Sequence, residues 1–405
     1  MDRGFSPLDE QLALGSVGWA PRLVEQCVLL GTLLPFSQAV DVLARFTGVH
    51  LSAETARRLT ETAGAVAVAL DTTAVADLER TLPAAPAGPA VQQLSVDGAM
   101  VSLVDGSWVE VKTLALGTVT RRRDRDGRDG AHTVELSYFA RVTDADTFGR
   151  LATVETHARG TETAGTVVAV VDGSAWCQGF VDLHRHDAVR VLDAPHALGY
   201  LADAAQAHFP TESVRAATWL TEQTRELLSG DPDLVLTALR DVQRALPTAD
   251  TTARETLAQV LGYLEPRRAQ LDYARFQQLG YPIGSGCVES ANKLVVEARL
   301  KGSGMHWARA NVNPLLALRC RYHNGHWTAA WAAIWTAWRT TGRRAAGAAA
   351  PLVALPDEIT RVTPIPVSQP EPGPAQAPRP KLVINGKPTA EHPWRSTRRD
   401  HRACA

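Results

Sequence analysis

The chain has 405 residues, long enough for two or three domains, because a single hydrophobic core rarely grows beyond about 250–300 residues. Its 42 lysines and arginines balance 43 acids, so the overall charge does not indicate a nucleic-acid partner, and any basic surface has to be local. Five cysteines without a C-x-x-C pair, no secretory pattern and no apolar run of about 18 residues predict a soluble cytoplasmic protein with no membrane partner.

Residues 1–90 are predicted to form an N-terminal helical domain followed by a linker. Apolar residues recur there at three- and four-residue spacing, and Ser52 is expected to cap the second helix of a pair joined by a glycine-containing turn. This outline is that of a helix-turn-helix, whose second helix would present Arg57 and Arg58 to a DNA groove. Two helices that simply pack together are the alternative. The proline- and alanine-rich segment 83–90 cannot continue a helix, so the domain boundary is placed there.

Residues 91–201 are predicted to form the first part of an α/β core. Period-two runs predict three consecutive antiparallel strands, QQLSVDGAMVSLV, WVEVKTLALGTV and VELSYFARV, with the charged RRRDRDGRDG as an exposed hairpin loop. After a helical segment, the apolar runs TVVAVV and AVRVL predict two buried strands, again with a helix between them. The order β-β-β-α-β-α-β is that of an RNase H-like mixed sheet.

The rest of the chain is predicted to be almost entirely helical. Residues 202–278 have helical periodicity and no strand candidate, which indicates an all-helical insertion, and 279–340 are expected to return to the core as helices. Residues 341–405 are rich in proline and alanine and mildly basic, which favours an extended tail. One aromatic packing stripe is expected at Trp327, Trp331, Trp335 and Trp338.

Three acids stand where predicted elements begin or end. Asp97 lies in the first strand, Asp172 closes the fourth, and Glu289 opens the helix after the insertion. Strands one and four are neighbours in the expected sheet, so the two aspartates would meet although 75 residues separate them. Clustered carboxylates repel one another unless cations neutralise them, and hard oxygen ligands select Mg²⁺ or Mn²⁺. Two such ions would support an in-line phosphoryl transfer.

Each acid also has a plain structural explanation. An aspartate before a glycine at a strand end commonly forms a turn, and a glutamate in the first turn of a helix complements the helix dipole. Two competitors remain: Glu297 for the position of Glu289, and Asp193 for that of Asp172.

Residues 284–307, GSGCVESANKLVVEARLKGSGMHW, closely resemble the most characteristic stretch of DDE transposases from bacterial insertion sequences, specifically the ISKra group. Shorter pieces agree along nearly the whole chain: FSPLDEQLAL, SVDGAMV, VVDGSAW, LDAPHAL and PTAEHPW. The resemblance implies a Mg²⁺-dependent enzyme of the bacterial nucleoid that cleaves DNA at insertion-sequence ends and transfers the strands into target DNA. It also implies a homodimer or a larger synaptic complex, because two ends have to be held together.

Carried onto this sequence, the resemblance assigns the catalytic and metal-binding acids to Asp97, Asp172 and Glu289. It gives Asp193 and His196 an accessory role in positioning metal-bound acids or DNA, for which a helix-capping aspartate and a buried, hydrogen-bonded histidine are the alternative.

Five residues around the third acid are further candidates for DNA contact. They are Asn292, Lys293, Arg299, Lys301 and Trp307. Salt pairing and core packing are the alternative for this set.

This sequence differs from the family pattern at one point. Relatives commonly have a cysteine-rich, zinc-binding segment before the PLDE stretch, whereas this sequence reaches FSPLDE within its first residues, so it is either truncated or lacks one DNA-binding module. A transposase-derived protein that binds DNA without cutting it is therefore the alternative function. A two-carboxylate glycosidase is disfavoured because no barrel-like repeat of strand and helix is present.

Overall fold

The structure, a computed structural model, describes residues 19–123, 129–209 and 213–347, all of which belong to one compact unit. No helix in these ranges is both long enough and apolar enough to cross a membrane. The motifs FSPLDEQLAL and PTAEHPW lie outside the described residues, as does most of the predicted tail. Residues 341–347, predicted as the start of that tail, instead continue the last helix, in which Arg343, Arg344, Ala345 and Ala346 are good helix formers.

A five-stranded mixed sheet forms the centre of the described chain. Its strands are β1 (Val91–Ser102), β2 (Trp108–Arg123), β3 (Asp129–Arg141), β4 (Thr166–Val171) and β5 (Val189–Leu192). They lie in the order β3-β2-β1-β4-β5. The pairs β1–β2 and β2–β3 are antiparallel, whereas β1–β4 and β4–β5 are parallel. The predicted succession of three antiparallel strands and two buried strands is confirmed, and the fold is mixed α/β.

Helices surround this sheet and fill the predicted insertion. Before it come α1 (Pro21–Leu33), α2 (Phe36–Thr47) and α3 (Ala53–Thr81), and between its strands lie α4 (Ala145–Ala158) and α5 (Ala175–Arg185). The insertion contains α6 (Ala194–His208), α7 (Val214–Ser229), α8 (Pro232–Ala245), α9 (Thr251–Leu264), a 3₁₀ segment (Glu265–Gln270) and α10 (Tyr273–Leu279). The described part of the insertion is helical as predicted, and its first helix starts earlier than expected, directly after β5.

The chain then returns to the core through three further helical elements. The first, α11, begins as Gly286–Ala291, widens into a π-helical segment Asn292–Glu297 and ends as Ala298–Leu300. It is followed by α12 (Arg309–His323) and α13 (Trp327–Gly347). The tryptophan stripe of α13 is confirmed, since its successive rings stack or meet edge to face at 5.8–6.1 Å.

The sheet separates two hydrophobic layers, because alternate residues of a strand face opposite sides. On one side Leu94 and Val96 of β1 pack with α4 and α5. On the other side Ala99 and Val101 pack with α11 and α12. Asp97 shares the alternation of Ala99 and Val101, so it lies on the face that α11 covers.

The hairpin of β2 and β3 is longer than predicted. Arg121, Arg122 and Arg123, expected in the loop, continue the ladder opposite Ala131, Gly130 and Asp129. The three arginines are exposed and extend beyond the last pair of β1 with β2, at Thr118, so their charge does not end the strands. Only residues 124–128 of the predicted loop lie outside the described residues.

The N-terminal helices pack against the returning helices. Ser52 caps α3 as predicted, because its hydroxyl accepts a hydrogen bond from the Thr55 amide at 3.0 Å. Apolar residues of α1 and α3 share one core cluster with α12 and α13. The helix pair with a short turn is therefore present, and its role in binding DNA stays a prediction.

Candidate active site

Asp97 lies in the middle of β1, half-buried beneath α11. Its carboxylate accepts hydrogen bonds from the Gly98 amide at 2.7 Å and from the Asn292 side-chain amide at 2.8 Å. Burial raises the pKa of the Asp97 carboxyl, and the negative charges of Asp172 and Glu289 raise it further against the opposing effect of those hydrogen bonds. The three predicted acids are thus electrostatic neighbours.

Asp172 directly follows β4, at the same level of the sheet as Asp97. The parallel register pairs Leu94 with Ala169, and the two aspartates each stand three residues further along their strands. Asp172 also accepts a hydrogen bond from the Ser174 amide at 2.9 Å, so it forms the turn that its sequence context predicted. The turn role and a role in the acid cluster are therefore compatible.

Glu289 lies in the first turn of α11, exposed to solvent at the rim of the cluster. Within residues 19–123, 129–209 and 213–347, no three His, Cys, Asp or Glu side chains are arranged so as to hold a metal ion. The acids approach one another from three different elements without forming a closed ligand set.

Asn292 was predicted to contact DNA, but it turns inward instead. It is only 6% exposed and donates to Asp97, while its side-chain oxygen is buried without a hydrogen-bond partner in the described chain. It is the first residue of the π-helical segment, a distortion that is frequent at functional sites because it alters which side chains face inward.

Asp193 and His196 occupy different environments. The Asp193 carboxylate is buried and accepts from two backbone amides, those of His196 at 3.2 Å and Ser285 at 2.7 Å. It therefore caps α6 and also fixes the turn that leads into α11 and Glu289. The His196 ring is exposed rather than buried and lies 5.6 Å from the Tyr200 ring and 5.9 Å from the Tyr263 ring.

The predicted DNA contacts of Arg299 and Trp307 disagree with their burial. Arg299 is 2% exposed, donates to the Gly31 carbonyl at 3.1 Å and lies over the rings of Phe36 and Trp307. Burial lowers its pKa to about 10, with a smaller effect from the charge of Arg319. The Trp307 indole donates to the Leu300 carbonyl at 3.1 Å, so both side chains are used in packing α11 against α1 and α2.

The remaining basic candidates are exposed to different degrees. Arg57 forms salt bridges with Glu54 at 2.6 Å and with Glu61 at 2.7 Å. Arg58 and Lys293 are exposed.

Lys301 is exposed as well and pairs with Glu297 at 2.9 Å. Glu297, the competitor for the position of the third acid, is thus already paired with a lysine. The negative charge of Glu289 contributes to the raised pKa of Asp97, whereas no contribution from Glu297 is found. The geometry favours Glu289 over Glu297.

Sequence patterns gave no indication of two insertion residues beside Asp172. Arg267 donates to the carbonyl of Gly173 at 2.9 Å, and its guanidinium lies 4.1 Å from the centre of the Tyr263 ring. The spacing of four between Tyr263 and Arg267 is ordinary for a helix, so only the three-dimensional contact distinguishes them.

A scan of models of known protein families finds none that matches this chain. A search of curated proteins likewise finds no match.

Proposed function

We propose that this chain is a divalent-metal-dependent polynucleotidyl transferase of the DDE transposase type, which cleaves DNA at insertion-sequence ends and joins the freed 3′ ends to target DNA. The observation that carries the proposal is the coupling of Asp97 to both Asp172 and Glu289, three acids brought by β1, β4 and α11. Isolated turn-forming or helix-capping acids have no reason to gather in this way.

The fold supports the proposal through its topology. In this proposal the sheet is RNase H-like and interrupted by the helical insertion, and its order β3-β2-β1-β4-β5 with β1 and β4 side by side is what that assignment requires. The same order brings the carboxyl end of β4 next to the middle of β1, which is where both aspartates stand.

The donor chemistry of the side chains present suits a hard divalent cation. Three carboxylates that repel one another favour Mg²⁺ or Mn²⁺, and the partnerless buried oxygen of Asn292 is one more hard acceptor beside Asp97. Asp97, Asp172 and Glu289 are the residues that would hold the metal. When bound, the metal would activate a water or a DNA 3′-hydroxyl and stabilise the leaving oxygen.

The protein's own groups would prepare this site for DNA. Hydrogen bonds from Gly98 and Asn292 fix the Asp97 carboxylate, and Asp193 holds the turn that carries Glu289. Exposed Lys293, one turn after Glu289, is suited to a phosphate contact. Two DNA ends have to be held together, so the active form is proposed to contain at least two copies of the chain.

A DNA-binding protein without cleavage activity is the second candidate. It is favoured by one observation, that no three His, Cys, Asp or Glu side chains of the described chain are already grouped closely enough to hold a metal ion. Binding would then depend on exposed basic residues of the helices, such as Arg58 and Lys293.

Strand cleavage of a labelled DNA that carries the terminal repeat of the element distinguishes the two candidates. Wild type, Asp97→Asn, Asp172→Asn and Glu289→Gln are compared in Mg²⁺, Mn²⁺ and EDTA, with Glu297→Gln as the matched control. We expect metal-dependent nicking at the repeat boundary that each of the first three substitutions lowers by more than about a hundredfold, since even loss of a group that merely supports a ligand costs 10–100-fold. Binding without nicking in every metal would favour the second candidate.

A further inference from the structure

We propose that the helical insertion fixes the position of the Asp172 carboxylate through Arg267, which acts as a positioning residue for the candidate metal site; this inference rests on the function proposed for that site. Arg267 belongs to the 3₁₀ segment Glu265–Gln270 that follows α9. It stands 95 positions after Asp172 in the sequence but contacts the turn that Asp172 begins.

The guanidinium of Arg267 is held between the insertion and the sheet. One nitrogen donates to the Tyr263 carbonyl at 2.7 Å within the insertion, and another donates to the Gly173 carbonyl at 2.9 Å. The Tyr263 ring covers its face at 4.1 Å, and the Tyr200 ring stacks on Tyr263 at 4.2 Å. Two carbonyls and an aromatic ring therefore hold this cation in a fixed orientation, with no acid as a salt-bridge partner in the described ranges.

Gly173 connects the Arg267 contact to Asp172, which it follows directly in the chain. Its backbone has φ +77°, a conformation that side-chain-bearing residues rarely adopt, and a Cβ there would lie 2.6 Å from Arg267 and 2.9 Å from the Tyr263 hydroxyl. The turn is thus pressed directly against the insertion. Because Asp172 precedes Gly173 and accepts from the Ser174 amide, the orientation of this turn also sets the direction of the carboxylate.

The electrostatics of the tyrosines indicate that Asp172 and Arg267 act on the same small region. Burial raises the pKa of both Tyr200 and Tyr263, the negative charge of Asp172 raises them further, and the positive charge of Arg267 opposes the rise. The Tyr263 hydroxyl is buried with no hydrogen-bond partner in the described chain. Arg267 is therefore close enough to Asp172 to hold its turn while its hydrogen bonds go to carbonyls, which leaves the carboxylate available for a cation.

Metal binding without DNA tests the inference directly. Tb³⁺ is titrated into wild type, Arg267→Met, Arg267→Lys and the neighbouring control Arg268→Met, whose parent side chain pairs with Asp233 on the surface at 2.6 Å. We expect Arg267→Met to weaken Tb³⁺ binding by about tenfold or more, as for other groups that orient a metal ligand. Arg267→Lys should recover part of the affinity because it can still donate to the Gly173 carbonyl, and Arg268→Met should bind like wild type.

Nicking as a function of Mn²⁺ concentration supplies the second readout. Arg267→Met is expected to raise the half-saturating Mn²⁺ concentration by the same factor while activity at saturating Mn²⁺ stays near that of wild type. Wild-type affinity for Tb³⁺ in Arg267→Met, equal weakening in Arg268→Met, or no Tb³⁺ binding by wild type would each overturn the inference. If Arg267→Met unfolds at a clearly lower temperature than wild type, the Tb³⁺ affinity of Arg267→Lys tests the inference instead. If wild type binds Tb³⁺ but never nicks DNA, the proposed function is refuted. The Tb³⁺ affinities of the Arg267 and Arg268 variants then still test the role of Arg267.

Discussion

The carboxylate of Asp97 is held in an environment that disfavours its charge. Burial and the nearby charges of Asp172 and Glu289 raise its pKa, and only two hydrogen bonds oppose them. A group whose pKa is higher in the folded than in the unfolded state favours folding below the unfolded pKa of about 3.9, and that contribution is lost as the pH rises through the folded pKa. At neutral pH the metal-free protein therefore carries an electrostatic cost at this residue.

Asp97→Asn is expected to abolish cleavage. It should also raise the free energy of unfolding of the metal-free protein at pH 7 by roughly 1 kcal/mol, a gain that is common when an unfavourable group at a functional site is replaced. The Gly98 amide keeps an oxygen to donate to. The Asn292 amide can rotate so that its partnerless oxygen accepts from the new amide group.

Thermal unfolding in EDTA between pH 4 and pH 8 checks this expectation. The difference in melting temperature between variant and wild type should be positive at pH 7. It should shrink as the pH falls toward 4, because the folded wild-type carboxyl, whose pKa is raised, takes up its proton. A variant that is less stable than wild type at pH 7 would contradict the assigned environment of Asp97.

The proximity of the three acids could be predicted from the sequence, because the expected strand order places β4 beside β1 and the helix that Glu289 opens returns to the same sheet. The choice of these acids over Glu297 and Asp193 also rested on the resemblance. The roles of Asn292 and Arg299 could not be found in this way. A polar or basic residue near a predicted active site suggests DNA contact, but their actual partners are Asp97 for the first and Phe36 and Trp307 for the second. Asp97 and Phe36 come from distant parts of the chain, and the π-helical segment changes which side chains face inward.

Helices α3 and α12 approach each other closely at Gly64. A Cβ at that position would lie 2.4 Å from the Pro314 carbonyl oxygen and 2.6 Å from its carbon. Polar contacts beside this crossing hold the two helices together, since Asn311 donates to Glu61 at 2.7 Å and Arg321 pairs with Asp71 at 2.6 Å. The absence of a side chain at residue 64 therefore permits the packing of the N-terminal helices on the core.

Gly64→Ala is accordingly expected to lower the free energy of unfolding by about 1–3 kcal/mol, the usual cost of overpacking, although alanine favours an isolated helix by about 1 kcal/mol. Gly179→Ala in α5 is the matched control, because that helical glycine is exposed and has no atom within 4 Å of a built Cβ. The control should raise stability by about 0.5–1 kcal/mol. Urea unfolding of both variants measures the difference, and equal stabilisation by the two substitutions would show that the helix contact at Gly64 is not tight.

Among whole elements, the strands were predicted best and the details of helices worst. The apolar run of β4 reflects the burial of both of its faces. The alternation of β1 located the strand, although residues 92–96 are all buried in the structure. Neither the extension of the hairpin through Arg121–Arg123 nor the π-helical segment has such a local signal. The hairpin follows from cross-strand pairing, and the π segment is supported by carbonyl contacts from Arg319 of α12 to Leu294 and Val295.

The candidate metal site joins parts of the chain that are far apart in sequence, β1, the end of β4 and the start of α11. A ligand that binds only the folded state stabilises it by RT ln(1 + [L]/Kd), about 2.7 kcal/mol at a hundredfold excess over Kd. We therefore expect Mn²⁺ to raise the melting temperature of wild type by a few degrees. Glu289→Gln should lose most of this increase, whereas Glu297→Gln, which removes only an exposed pair with Lys301, should keep it. An increase of equal size in all three proteins would mean that Mn²⁺ binds elsewhere, and no increase in any of them would argue that the acids of this chain do not hold a metal in the absence of DNA.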